Sequence, residues 1–146
     1  MRAVIQRTAH ASVTVDGERI SAIEKGLLIL LGIAPDDTEE KAKAMTKKIA
    51  ALRIFRDDQD KMNLSVRDIG GEAIVVSQFT LYADCTRGNR PSFINAAPPA
   101  IASPLVDKFV EYLREQGVPT QTGIFGADMK VELLNDGPVT IVLESQ

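Results

Sequence analysis

A chain of 146 residues with 45% hydrophobic and 25% charged side chains is sized and composed as one ordinary globular domain, residues 1–146, able to bury its own core. A balance of 17 basic against 20 acidic residues leaves a net charge of -3, which excludes the basic footprint of a protein that coats nucleic acid but not a small local patch gripping one end of an RNA. The longest apolar run, Gly26 to Ala34, is far too short to span a bilayer, the opening residues lack signal-peptide flanks, and a single cysteine rules out a disulfide framework, so a cytoplasmic protein without membrane partners is expected.

In chain order, "AVIQRT" and "ASVTVDG" alternate apolar and polar residues and read as strands, with "VDGER" as a hairpin signal. "GLLILLGIA" lacks alternation, as expected of a strand buried on both faces. A helix follows, with Asp37 as its cap and Glu40 three residues on in a capping-box arrangement. Ala42, Met45, Ile49 and Leu52 form its apolar face; Lys41, Lys47 and Lys48 read as a solvated face rather than an RNA patch. "AIVVSQFTLYA" is another buried strand, and "DCTRGNRPSFINAAPPAIAS" a long irregular stretch of the kind that often carries function. A second helix is expected from near Ser103, with Pro104 in its first turn, to Gly117, packing on Val106, Phe109, Val110 and Leu113. The last strands lie within "TQTGIFGADMKVELLNDGPVTIVLES". Many strands and two helices in this order define an α+β fold, with a sheet or barrel too large to leave uncovered.

The chemistry is narrowed by what is missing. One histidine, His10, and one cysteine, Cys85, are too few for a zinc site, and no "GxSxG" elbow or glycine-rich phosphate loop is present. An enzyme built from this chain is expected to work without metal, histidine base or nucleotide loop; His10 reads as structural and Cys85 as a small packed residue rather than a nucleophile. Ser77, Gln78 and Thr80 are polar groups placed where an apolar strand ends, either lining a pocket or pairing locally with backbone. "RGNRPSF" offers Arg87 and Arg90 to a phosphate or carboxylate. Phe125, between two glycines, suits either base stacking or a strand bulge with a core phenylalanine. In "NDGPVT" a proline directly follows the glycine of an apparent turn; local physics reads a trans bond, a turn and an edge strand.

"SQFTL" together with "NDGPVT" resembles the two signature motifs of the D-aminoacyl-tRNA deacylases. "MRAVIQR", "KMNLSV", "RGNRPSF" and "QTGIFGADM" are similar to that family's intervening segments, in the same order, so the resemblance covers essentially the whole chain. A related animal branch with altered chirality tolerance carries different residues in both motifs; this chain is similar to the main form. The resemblance implies hydrolysis of the ester joining a D-amino acid to the 3′-terminal adenosine of tRNA, and of mischarged glycyl-tRNA. It implies a β-barrel-like domain with helices packed outside, working as a homodimer on tRNA, with no DNA partner and no cofactor.

The site residues it implies are Ser77, Gln78, Phe79 and Thr80 in one subunit's pocket, Gln78 and Thr80 nearest the chemistry, with Phe125 and Met129 in substrate contact. A Gly137-cisPro138 motif, supported by Arg7, enters the partner's pocket and rejects L-amino acids with its carbonyls. The substrate's 2′-hydroxyl and backbone N–H groups replace a side-chain nucleophile, while a chemical role for Thr80 stays open. Arg87 and Arg90 are candidates for tRNA phosphates. A general carboxyl esterase and a dimeric RNA-end-binding module are the rival readings.

Overall fold

The computed structural model describes residues 1–146. The chain runs β1 (Arg2–Val15), β2 (Glu18–Ile23), β3 (Gly26–Gly32), α1 (Glu39–Ala51), β4 (Phe55–Arg56), β5 (Met62–Leu64), β6 (Glu72–Ser77), α2 (Pro99–Glu115), β7 (Thr120–Thr122) and β8 (Met129–Glu144), with a 3-10 turn at Phe79–Tyr82. The two alternating stretches at the start fuse into the single strand β1, which organises everything else. Its first half pairs with β3 and its second half with β2, while its other edge is matched along its length by β8. Asp16 and Gly17, both at positive φ, make the expected tight turn between β1 and β2.

β3, β6 and β7 continue the sheet in parallel. The far strand β7 then comes back against β2: the Gln121 side chain bonds both the Ala22 N–H (2.9 Å) and the Ala22 carbonyl (2.8 Å), and the Ser21 hydroxyl donates to the Thr122 carbonyl. The sheet therefore curls into a nearly closed barrel with both helices outside, the α+β architecture expected. The unbroken apolar run of β3 is explained by its two faces. Leu28 points into a small inner cluster with Val13, Ile74 and Val76, while Leu27, Ile29 and Leu31 point into the larger core beneath the helices. Phe109 and Leu113 of α2 and Ile49 of α1 are fully buried there, each worth roughly 1.5–3 kcal/mol in apolar transfer. No helix is long and apolar enough to cross a membrane.

Three local expectations are corrected. The cap of α1 is Thr38, whose hydroxyl accepts from the Lys41 N–H at 3.3 Å. Asp37 is instead taken by the Met1 ammonium at 2.5 Å and by the Ala34 N–H at 2.7 Å, so no capping box with Glu40 forms. α2 begins at Pro99, not Ser103, and Pro104 lies inside it. Pro104 is tolerated because it and Ala100, whose carbonyl loses a partner, both face water. Finally, "NDGPVT" is not a turn between two strands, because β8 runs through it without reversing.

Candidate active site

The buried strand β6 ends at Ser77, and one more ladder bond, from the Gln78 N–H to the Leu31 carbonyl (2.8 Å), carries the chain to the sheet's end. There it tightens into the 3-10 turn, closed by bonds from Leu81 N–H to the Gln78 carbonyl (3.2 Å) and from Ala83 N–H to the Thr80 carbonyl (3.1 Å). Gly32 at the end of β3 makes room for it, since a Cβ there would lie 3.1 Å from the Gln78 carbonyl oxygen. A cavity of about 550 Å³ opens beside this turn, with Ser77, Gln78 and Phe79 forming one wall and Phe125 and Met129 another. Of its 17 lining residues 11 are hydrophobic, the usual balance of a site that buries a small organic group and orients it with few polar contacts.

Five of the expected site residues therefore meet in one cavity. Phe125 sits in the turn between β7 and β8, not in a strand bulge, and is half-buried. Gly123 lacks a side chain where a Cβ would run into the Met129 sulfur. Thr80 lies on the exposed side of the 3-10 turn, where its hydroxyl accepts from the Gln78 side-chain amide. No histidine or cysteine lines the cavity. His10 is exposed on β1, and Cys85, expected to be packed, is exposed in a surface loop. No three His, Cys, Asp or Glu side chains gather to hold a metal ion.

The sequence reading missed Phe93, Ala97 and Pro98, which complete the cavity from the segment before α2. Phe93 stands edge-on to Phe79 with ring centroids 5.0 Å apart. It belongs to "RGNRPSF", three residues past Arg90. Arg87 and Arg90 are exposed in the loop between Asp84 and Ser92, which is clipped at its base by two backbone hydrogen bonds. Hydrogen bonds from the Thr86 hydroxyl and then its N–H hold the Asp84 carboxyl below the ordinary aspartate value. At the end of the 3-10 turn, partial burial first and the nearby Asp37 charge second push the Tyr82 phenol up to about 12.

Gly137 and Pro138 do not line this cavity. Gln6 pairs with Thr140 and Thr8 with Asn135, so the single residue Arg7 stands opposite Asp136, Gly137, Pro138 and Val139. Those four residues form a wide bulge in β8, with a cis Gly137-Pro138 bond where local physics had read trans, and Gly137 at φ +132°. The Val139 N–H closes it onto the Asn135 side chain at 3.0 Å. Arg7, 2% exposed, fills it from below: its Nε donates to the Asp136 carbonyl at 2.9 Å and its Nη1 to the Ile54 carbonyl at 2.7 Å. The outer edge of β8 carries no partner strand, and Leu134 and Val142 are exposed along it.

The fold thus supplies a nearly closed barrel with a largely apolar cleft at the end of its parallel strands, lined by no histidine or cysteine. The comparisons define the family. A family model described as "D-Tyr-tRNA(Tyr) deacylase" matches residues 4–144. A D-aminoacyl-tRNA deacylase of Chlorobaculum parvum is 60% identical, with 99% of this chain and 98% of the relative covered. The one of Desulfatibacillum aliphaticivorans is 55% identical over 100% of both chains. Among solved structures, one described as a c-Myc DNA unwinding element binding protein superposes with a TM-score of 0.93 at 45% identity, covering 100% of this chain and 99% of its own. A probable eukaryotic D-amino acid tRNA deacylase shares the fold, with a TM-score of 0.83 at 16% identity and 97% of each chain covered. The chain belongs to the D-aminoacyl-tRNA deacylases, hydrolases that act on the ester bond of aminoacyl-tRNA.

Proposed function

We propose that this protein proofreads the handedness of aminoacyl-tRNA in the cytoplasm as a homodimer, each cavity being completed by the Gly137-Pro138 bulge of the other subunit. The observation that carries the reading is the separation of the two motifs within one chain. Val131 lines the cavity and Gly137 lies six residues further along β8, roughly 20 Å at the rise of an extended strand. The bulge is exposed, rigidly backed by Arg7, and set on a strand edge that a second copy is suited to cover.

In this account the cavity takes the 3′-terminal adenosine and its amino acid, against Phe79, Phe125 and Met129. The partner's bulge carbonyls face the amino acid's Cα. An L side chain collides with them, a D side chain points away, and glycine passes because it has no side chain to exclude. Water attacks the ester carbonyl carbon with the help of the adenosine's own 2′-hydroxyl. The developing oxyanion accepts hydrogen bonds from N–H groups at the start of the 3-10 turn, which lack intrahelical partners. The bond to the ribose oxygen breaks and that oxygen takes up the proton the water gives up, releasing tRNA and free amino acid. Gln78, anchored to Thr80, orients the substrate or water. Arg87 and Arg90 meet tRNA phosphates.

Subunit mixing tests the shared site. Gln78→Ala damages the cavity and Gly137→Ala the bulge. A mixed dimer regains one intact site, so random exchange between the two variants restores about a quarter of the sites that cleave D and spare L substrate. Variants that exchange subunits without any such recovery place the bulge in its own chain's work and sink the reading.

A further inference from the structure

We infer that Arg2 is a positioning residue for the reaction, holding the turn that carries Gln78, Phe79 and Thr80 in its place beside the cavity. The inference rests on the reading of that cavity as the deacylation site. The 3-10 turn Phe79–Tyr82 needs such a holder. It is four residues long, none of them buried, and it lies beyond the last ladder bond of β6. Short 3-10 segments have poor hydrogen-bond geometry and little stability of their own.

Arg2 reaches this turn from the start of β1, far from it in sequence. Its Nη1 donates to the Leu81 carbonyl at 2.6 Å, the one side-chain hydrogen bond made to the backbone of the turn. A guanidinium donor makes this bond stronger than a neutral one. The same guanidinium lies over the Tyr82 ring, 4.8 Å from its centroid. Its Nε is held by the Glu144 carboxylate at the end of β8.

The backbone explains why Arg2 is in reach. Arg2 pairs across β1 with Gly32 on one side and Glu144 on the other. Gly32 leaves open the space the turn occupies, since a Cβ there would lie 3.1 Å from the Leu81 Cβ and 3.2 Å from the Tyr82 Cδ2. The turn is thus seated on Gly32 and held from the side by Arg2, which in turn is braced by Glu144. Arg2 does not line the cavity and so acts only through the turn. Tyr82 stays neutral at working pH, offering its ring face to the cation. A lysine ammonium is a point charge and cannot bond Leu81, bond Glu144 and stack on Tyr82 together.

The test compares Arg2→Met, Arg2→Lys and Glu144→Gln in the full-length protein, by steady-state cleavage of D-aminoacyl-tRNA, thermal midpoint, and amide exchange at Leu81 and Ala83. Displacing catalytic groups by about 1 Å costs up to roughly a hundredfold in rate. Arg2→Met is therefore expected to lower kcat by about ten- to a hundredfold, with KM changed by at most about twofold. Exchange at Leu81 and Ala83 rises while amides in β3 keep their protection. Arg2→Lys recovers part of kcat, and Glu144→Gln shows the same pattern more weakly. Unchanged kcat, unchanged exchange at the two amides, or a kcat loss that merely follows the thermal midpoint would overturn the inference. If Arg2→Met does not fold, Glu144→Gln and Tyr82→Leu carry the same readouts. If the parent protein cleaves no D-aminoacyl ester, the deacylation reading fails, and amide exchange still decides whether Arg2 holds the turn.

Discussion

Arg7 and Asp136 are joined twice: the buried Arg7 Nε lies 2.9 Å from the Asp136 carbonyl oxygen and 3.7 Å from its carboxylate. With the bond to Ile54, this fixes the bulge to the body of the protein. Arg7→Met keeps much of the buried stem but leaves the Asp136 and Ile54 carbonyls without their donor. An unsatisfied buried acceptor costs about 1–3 kcal/mol, and the Asp136 carbonyl is only part-buried, so a loss of roughly 2–4 kcal/mol is expected in chemical denaturation. The ratio of D to L cleavage should shrink by at least about tenfold, since tenfold is only about 1.4 kcal/mol. A variant as stable and as selective as the parent would show that Arg7 holds nothing.

Gly137 is a separate probe of the same device. Its φ of +132° is a conformation that L side chains rarely adopt, and a Cβ would lie 2.7 Å from Arg7 Nη2. Gly137→Ala should therefore cost about 1–3 kcal/mol and displace the guanidinium. Cleavage of D substrate is expected to survive better than rejection of L substrate. Equal loss of both would mean that the bulge serves stability and not selection.

Much of the fold was legible because its signals were local and mutually consistent, as in the tight turn at Asp16-Gly17 and the helical faces of Ile49 and Phe109. The boundaries failed where a distant partner decided. Asp37 and Thr38 are both good capping residues, and the choice between them is made by the Met1 ammonium, which takes Asp37. "NDGPVT" carries every local mark of a turn, yet pairing along the full length of β1 keeps β8 extended through it. The polar end of "AIVVSQFTLYA" exposed one wall of the cavity, but nothing in the periodicity points to Phe93 or Pro98, which arrive from a loop. Arg2 was overlooked because its role depends on Gly32, Leu81 and Glu144, none of them near it in sequence.

Thr80 offers a hydroxyl but no base. That hydroxyl accepts from Gln78, which suits a fixed neighbour and not an activated nucleophile. Thr80→Val should retain turnover within about tenfold, whereas removal of a true nucleophile costs on the order of a millionfold in the best-studied hydrolases. Single-turnover cleavage of D-aminoacyl-tRNA separates the two outcomes.

Asp84 predicts an acid-sensitive loop. Its Oδ1 accepts from the Thr86 hydroxyl at 2.7 Å and the Thr86 N–H at 3.0 Å, and these bonds hold its folded pKa below the ordinary value of 3.8. A lowered carboxyl pKa contributes order that is fully present above the ordinary value and is lost as pH falls through the folded one. Protection of the Thr86 amide should thus persist from neutral pH to below the ordinary aspartate range and then collapse, and Asp84→Asn should abolish that step. A step at 3.8 itself would show that the contact has no preference for the charged form.

The central claim is that one cavity and one bulge together choose the D ester. It is tested most directly by presenting the same tRNA charged with matched D- and L-amino acid and timing the loss of each ester. The D ester should be lost rapidly and the L ester should persist, with a glycyl ester also cleaved. Equal rates for D and L, or no loss of either, would contradict it.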